Sequence, residues 1–168
     1  YANICNTHTF EDRIKTLEAA KEVGLQICCG VIIGMGETTD DIIDMARTLH
    51  KLQIQSIPIN FFIPIEGLAL NQNPDLWPEY GLRVLCLFRF LIPEAEIGIA
   101  AGRELYFRES QALTLYPANS LFLNGYLNVK GSSNLKTLKM IKDAGFTIKS
   151  DKRLDELLEK EKMPQQKA

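Results

Sequence analysis

The sequence predicts an α/β domain in which a parallel sheet is covered by helices. Three observations carry that expectation. Short apolar runs of strand length alternate with stretches whose apolar residues recur every three or four positions. The connections between them are two to six residues long, and the alternation repeats about four times as βα units. The 168 residues are 46% hydrophobic and 24% charged, with a mean hydropathy of -0.06, which is ordinary globular composition with enough apolar material for a sizeable core.

Each element has its own signal. Thr9 opens a helix with Asp12 three residues on, a capping-box arrangement. Phe10, Ile14, Leu17 and Ala20 form its apolar stripe, and Gly24 ends it. Leu25 to Ile33 is a nearly continuous apolar run, as expected of a parallel strand buried on both faces. Thr38 or Thr39 caps the next helix, with Ile42, Met45, Ala46, Leu49 and Leu52 on one face. Ser56 to Ile63 reads as a strand, followed by the loop EGLALNQNPDLWP and a helix from about Glu79 to Leu91. Glu96 to Ala101 is a strand, Arg103 to Leu115 a helix, and Ser120 to Leu123 a short strand. Leu135, Leu138, Ile141 and Ala144 form a last helical stripe that stops at Gly145. Residues 148–168 mix both charge signs with little apolar material and are expected to be a flexible, solvated tail, although Leu154, Leu157 and Leu158 could support a short helix.

Composition excludes several function classes. Nineteen basic and 21 acidic residues give a net charge of -2 and a pI near 5.8, without the basic footprint that nucleic-acid binding needs. No apolar run reaches membrane-spanning length, so no membrane partner is expected. The four cysteines have no CxxC spacing and favour free thiols or cluster ligands over disulfides. The chain opens on Tyr in mid-motif, as expected of a piece of a longer protein.

Ligands of parallel α/β proteins sit at the carboxyl ends of the strands, which directs attention to four places. Strand parity puts Ile27, Cys29, Val31 and Ile33 on one apolar face, and Gln26, Cys28, Gly30 and Ile32 on the other. Cys28 is then the interior-facing thiol and Cys29 a packing residue. Behind them, Gly34 and Gly36 before Glu37 either let backbone approach a ligand or form a bare tight turn; GMGETT matches no phosphate loop. Asn60, in the apolar strand SIPINFFI, either satisfies neighbouring backbone or reads a ligand that carries both a donor and an acceptor. Arg103, in IAAGRE, either binds an anion or pairs with Glu104 or Glu109. Arg13 by default is a surface residue, and His8 and His50 are isolated and solvated.

In order along the chain, YANICNTHTFEDR, ICCGVIIGMGET, SIPINFFIPIEGLAL, IGIAAGRE and ANSLFLNGYL resemble the biotin synthase family of radical S-adenosylmethionine enzymes. The resemblance runs from residue 1 to about 147 and implies the C-terminal half of a (β/α)8 TIM-type barrel, with residues 1–147 belonging to it. It implies sulfur insertion into dethiobiotin to form biotin, with S-adenosylmethionine, a 4Fe–4S cluster and a 2Fe–2S cluster as cofactors. By the same resemblance Cys28 and Arg103 are 2Fe–2S ligands facing a common interior. Arg13, Ile63, Gly34, Gly36 and Glu37 lie around the adenosylmethionine, and Asn60 faces dethiobiotin. Val31 departs from the family's usual glycine. The CxxxCxxC loop of the 4Fe–4S cluster and two further 2Fe–2S cysteines are expected before Tyr1, so this chain alone is expected to be inactive. The family further implies a homodimer, a flavodoxin- or ferredoxin-like electron donor, and a cytoplasmic location, or the mitochondrial matrix in a eukaryote. The competing expectations are another radical adenosylmethionine barrel enzyme, or an inactive α/β module.

Overall fold

The computed structural model describes residues 1, 4–64, 77–126 and 129–162. Most of the loop expected after Ile63, residues 65–76, lies outside that range, as do residues 163–168 of the tail. Helix α1 (Phe10–Glu22) precedes strand β1 (Val31–Ile33), α2 (Thr39–Lys51), β2 (Ser56–Phe61), α3 (Pro78–Leu91) and β3 (Glu96–Ile99). Then come α4 (Arg103–Phe107), a 3-10 helix (Arg108–Leu115) and β4 (Ser120–Leu121). A small hairpin, β5 (Gly125–Tyr126) and β6 (Val129–Lys130), leads to α5 (Asn134–Asp143) and α6 (Leu154–Lys162).

The sheet is parallel, and its strands lie side by side in chain order, β1-β2-β3-β4. Among the described residues no crossover reverses that order, as happens at the switch point of a doubly wound sheet. Ladder neighbours run Val31–Ile59–Ile99 and Ile33–Phe61. Cys28 keeps the same register three residues earlier, through an isolated bridge to Ser56.

The core lies on one face of this sheet. Ile27, Cys29, Val31 and Ile33 pack with Ile57, Ile59, Phe61, Ile97 and Ile99 against the apolar sides of α2 and α3. The alternation expected from parity is visible in β2, where half-buried and buried residues follow one another strictly. Both expected capping boxes form. Thr9 Oγ1 accepts the Asp12 N–H while Asp12 accepts the Thr9 N–H, and Thr38 and Asp41 repeat the arrangement. Their carboxyls sit below the usual range because the fixed donors of Thr9 and Thr38 favour the charged form.

Several elements differ from expectation. The regular strand expected over Leu25 to Ile33 is confined to its last three residues. Helix α1 buries none of its residues fully; only Leu17 and Ala20 of its stripe pack against the core. The helix expected over Arg103 to Leu115 breaks at Arg108, whose φ is +46°, and continues as a 3-10 helix. The hairpin β5–β6 was not expected at all; two-residue strands carry too short a pattern to read. The expected solvated tail is corrected in part. Leu158 of α6 is buried with Leu138 and Ile141 in a second apolar cluster, with Leu154 and Leu157 beside it. Three leucines suffice because α5 already presents an apolar stripe to receive them.

Candidate functional site

The face of the sheet turned away from the helices is the candidate site. The thiol of Cys28 is exposed there, with no hydrogen bond among the described residues, whereas Cys29 is 7% exposed within the helix-covered core. Ile32, 49% exposed, and its ladder partner Asn60 share the face with Cys28.

Asn60 is held rather than free. Its Nδ2 donates to the Val31 carbonyl at 3.2 Å, and its Oδ1 accepts the Ala101 N–H at 3.1 Å. The side chain therefore ties β1 and the end of β3 to β2, the backbone-satisfying alternative of the sequence analysis. One amide N–H and one carbonyl lone pair are left over.

The GMGE turn folds around its own carboxylate. Glu37 accepts the N–H of Gly34 at 2.6 Å and of Met35 at 2.8 Å, and Gly34 and Gly36 both adopt positive φ to present those groups. Tyr80 and Tyr106 titrate above the ordinary phenol value, first through burial and then through the Glu37 charge. The Tyr106 hydroxyl donates to the Phe62 carbonyl, fixing α4 beside the end of β2. Ile63 follows, half-buried.

Two further expected site residues make contacts within the chain. Arg13 reaches Cys29, its Nη2 lying 3.8 Å from that sulfur on the helix-covered side of the sheet. Arg103 is 1% exposed and bound to Glu104, Nη2 to Oε1, at 2.7 Å. Cys28 is level with Ser56, and Ser56 with Glu96 at the start of β3; Arg103 opens α4 beyond the end of that strand, two residues past Ala101, whose N–H Asn60 accepts. The Cys28 thiol is exposed, whereas the Arg103 guanidinium is enclosed against Glu104. The ion pair, the simpler of the two sequence readings of Arg103, is the one realised. Among the described residues no group of three or more His, Cys, Asp or Glu side chains could hold a metal ion.

The sequence reading missed one polar cluster. His8 is not isolated: its ring nitrogens lie 2.8 Å from the Tyr1 hydroxyl and 3.0 Å from Thr7 Oγ1, and Cys5 Sγ lies 3.5 Å from both Thr7 Oγ1 and His8 Nδ1. The Cys5 thiol is lowered to about 7, chiefly by the Thr7 hydrogen bonds. The signal was the CNTH spacing just before a capped helix, which gathers these side chains in one turn. Cys86 points outward from α3.

The family model of the Biotin and Thiamin Synthesis associated domain matches residues 58–147, more than half of the chain, from β2 through α5. The chain belongs to that family. Similar proteins fall in line with this family. A protein named biotin synthase from Acaryochloris marina is 54% identical over 146 residues, which is 87% of this chain and 42% of the relative. Another of that name, from Magnetococcus marinus, is 49% identical over 148 residues, 88% of this chain and 46% of the relative. A third, from Leptospira interrogans serovar Lai, is 50% identical over 146 residues, covering 87% and 42%. The chain thus spans less than half the length of these relatives. The family match begins inside β2, whereas the relatives' matched lengths also require the elements around β1 and the Cys28 face.

Proposed function

We propose that this chain is the C-terminal part of a biotin synthase, which inserts sulfur into dethiobiotin by radical S-adenosylmethionine chemistry. The observation that carries the reading is the uncovered face, where Cys28 offers an unpartnered thiol on the same side as Asn60. Four parallel strands in chain order suit the wall of a (β/α)8 barrel, and closing it would turn this face inward.

A 2Fe–2S cluster would take Cys28 as a ligand from this chain, the exposed thiol fitting a soft iron–sulfur site. Arg103, paired here with Glu104, would be the second ligand from this chain on turning one nitrogen to the cluster. The remaining 2Fe–2S ligands and those of a 4Fe–4S cluster would come from the part of the relatives' length that this chain does not span. The clusters and S-adenosylmethionine would supply electrons, a radical and sulfur. This chain's residues orient and enclose. Asn60, already fixed by two backbone bonds, keeps a donor and an acceptor for the ureido group of dethiobiotin. The Glu37-closed turn and Ile63 shape the adenosylmethionine side. Arg13 would join them on exchanging Cys29 for that cofactor. A homodimer, a flavodoxin- or ferredoxin-like electron donor and a cytoplasmic or mitochondrial-matrix location complete the proposal. Among the described residues no helix is long and apolar enough to cross a membrane.

The test is a chimera in which residues 1–147 replace the matching part of the Acaryochloris marina relative. It should restore growth of a biotin auxotroph on dethiobiotin. Its Cys28→Ala variant should lose 2Fe–2S absorbance and growth but still cleave adenosylmethionine. A folded, cluster-loaded chimera that makes no biotin would overturn the reading.

A further inference from the structure

The four cysteines sit in different settings. Cys29 is buried against Arg13, while Cys28 and Cys86 are exposed, with no side-chain hydrogen bond among the described residues. Cys5 is the centre of a polar cluster just before α1. Its Sγ lies 3.5 Å from Thr7 Oγ1 and 3.5 Å from His8 Nδ1. That ring nitrogen is in turn 3.0 Å from Thr7 Oγ1, and Nε2 on the far side of the ring is 2.8 Å from the Tyr1 hydroxyl. The Tyr1 ring packs edge-on against both His8 and Phe10, which seats the hydroxyl on the imidazole. A nucleophile, a base within reach of it and a third group that orients the base are the parts of an activated thiol. The function proposed above uses none of them.

The geometry also places the protons. When His8 donates its Nε2–H to Tyr1, the Nδ1 lone pair faces the thiol and can take its proton. The Thr7 hydroxyl donates to the sulfur, and this hydrogen bond is the leading reason that the thiol is lowered to about 7. Around it Tyr1, Asn6, Thr7 and His8 are all exposed, so nothing encloses a substrate or excludes water. Such a site suits a reaction that needs only a thiolate, open approach and a proton for the leaving group. Attack on a disulfide has these requirements, and a thiol that titrates near ambient pH is its best nucleophile. A metal ion is the poorer match, since Cys5 and His8 supply two ligands and no third His, Cys, Asp or Glu among the described residues joins them.

We infer that Cys5, with His8 as its base, is a modification site that takes up a small thiol as a mixed disulfide by exchange with a low-molecular-weight disulfide. The Cys5 sulfur bonds to one sulfur of the small disulfide as the original S–S bond breaks. The Cys5 proton passes to His8 Nδ1 and from there to the departing sulfur, which leaves as a thiol. Cys5 is thereby oxidised and half of the small disulfide is reduced, with no further oxidant. Excess thiol runs the exchange backwards. The inference does not rest on the sulfur-insertion reading, and its test involves no cluster and no turnover.

The probe is 2-hydroxyethyl disulfide, which is neutral, so that surface charge does not decide the outcome. The full chain is exposed to it at neutral pH, quenched in acid and read by peptide mass spectrometry. Relative to an ordinary thiol near ~8.5, the larger thiolate fraction of Cys5, offset by the weaker nucleophilicity of a more acidic thiol, gives about a threefold advantage. With His8 moving the proton, the mixed disulfide should form at Cys5 faster than at exposed Cys86 by clearly more than that. His8→Gln should bring the ratio down to about threefold or below, and dithiothreitol should strip the adduct. His8 is exposed, so the substitution spares the fold; an unchanged Cys86 rate and a protected Cys29 verify this in the same digest. A ratio of about threefold or less in the unaltered chain, or one that His8→Gln leaves unchanged, overturns the inference. So does a Cys5 that stays unmodified in the chimera, where the rest of the protein would then cover it.

Discussion

Two arginines mark the two ends of the sheet, and they are treated in opposite ways. Arg89, in the last turn of α3, spends its whole guanidinium on the chain. Nε donates to the Pro117 carbonyl at 2.8 Å, Nη1 to those of Pro93 and Ala95 at 2.8 and 2.9 Å, and Nη2 to Asn119 Oδ1 at 3.0 Å. Asn119 passes the link on by accepting the Ile97 N–H. The end where β3 and β4 begin is thereby closed by one side chain. Arg103, where β3 ends, has one ion pair and an unused nitrogen. At the amino ends Arg89 is consumed by the fold, and at the carboxyl end of β3 Arg103 keeps one nitrogen over. That is the division of labour expected when stability resides at one end of a parallel sheet and ligand binding at the other.

The largest test of the contrast is removal of each guanidinium. Arg89→Met strands three carbonyls and an amide oxygen and should cost about 2–4 kcal/mol in urea unfolding. Arg89→Lys keeps the charge but not the planar fork and should recover less than half of the loss. Arg103→Met should cost about 1 kcal/mol, since Glu104 can return to water and the unpaired nitrogen disappears with the side chain. Equal losses for Arg89→Met and Arg103→Met would erase the distinction between the two ends.

The same contrast explains what was legible in the sequence. Periodicity located the βα alternation because a buried face imposes its spacing locally, and the Thr9 and Thr38 caps sit three residues from their partners. Parity separated Cys28 from Cys29 for the same reason. Arg89 was invisible: its acceptors lie up to 30 residues away and are mostly carbonyls, which every residue has. The Glu104 partner of Arg103 was legible as one of two readings, but the burial of the guanidinium was not, because it depends on packing beyond the motif. The packing of α6 depended on a stripe of α5 far from the charged residues that dominated its composition.

A middle-sized test compares neighbouring thiols. Cys29→Ala empties a buried position in the core and should cost about 1 kcal/mol. Cys28→Ala touches an exposed sulfur and should change stability by less than about 0.5 kcal/mol. A smaller loss for Cys29→Ala than for Cys28→Ala would place the wrong face against the helices.

The smallest expected effect concerns Cys5, whose thiol is already satisfied by its own turn, in contrast to Cys28. The hydroxyl and backbone of Thr7 stabilise the thiolate and lower the group to about 7. In the unfolded chain the same thiol titrates near ~8.5. Between those values the unfolded chain binds more protons, so stability rises with pH through the window and is lost as pH falls through about 7. The group is exposed, so its alkylation is a clearer readout than the unfolding curve. Iodoacetamide labelling resolved by peptide mass spectrometry should reach half its maximal Cys5 rate near pH 7 in the native chain, and only at higher pH in urea. Thr7→Val removes the leading hydrogen bond and should move the native midpoint upward toward the urea value. A midpoint that is the same in the native chain, in urea and in Thr7→Val would mean that the turn does nothing to the thiol.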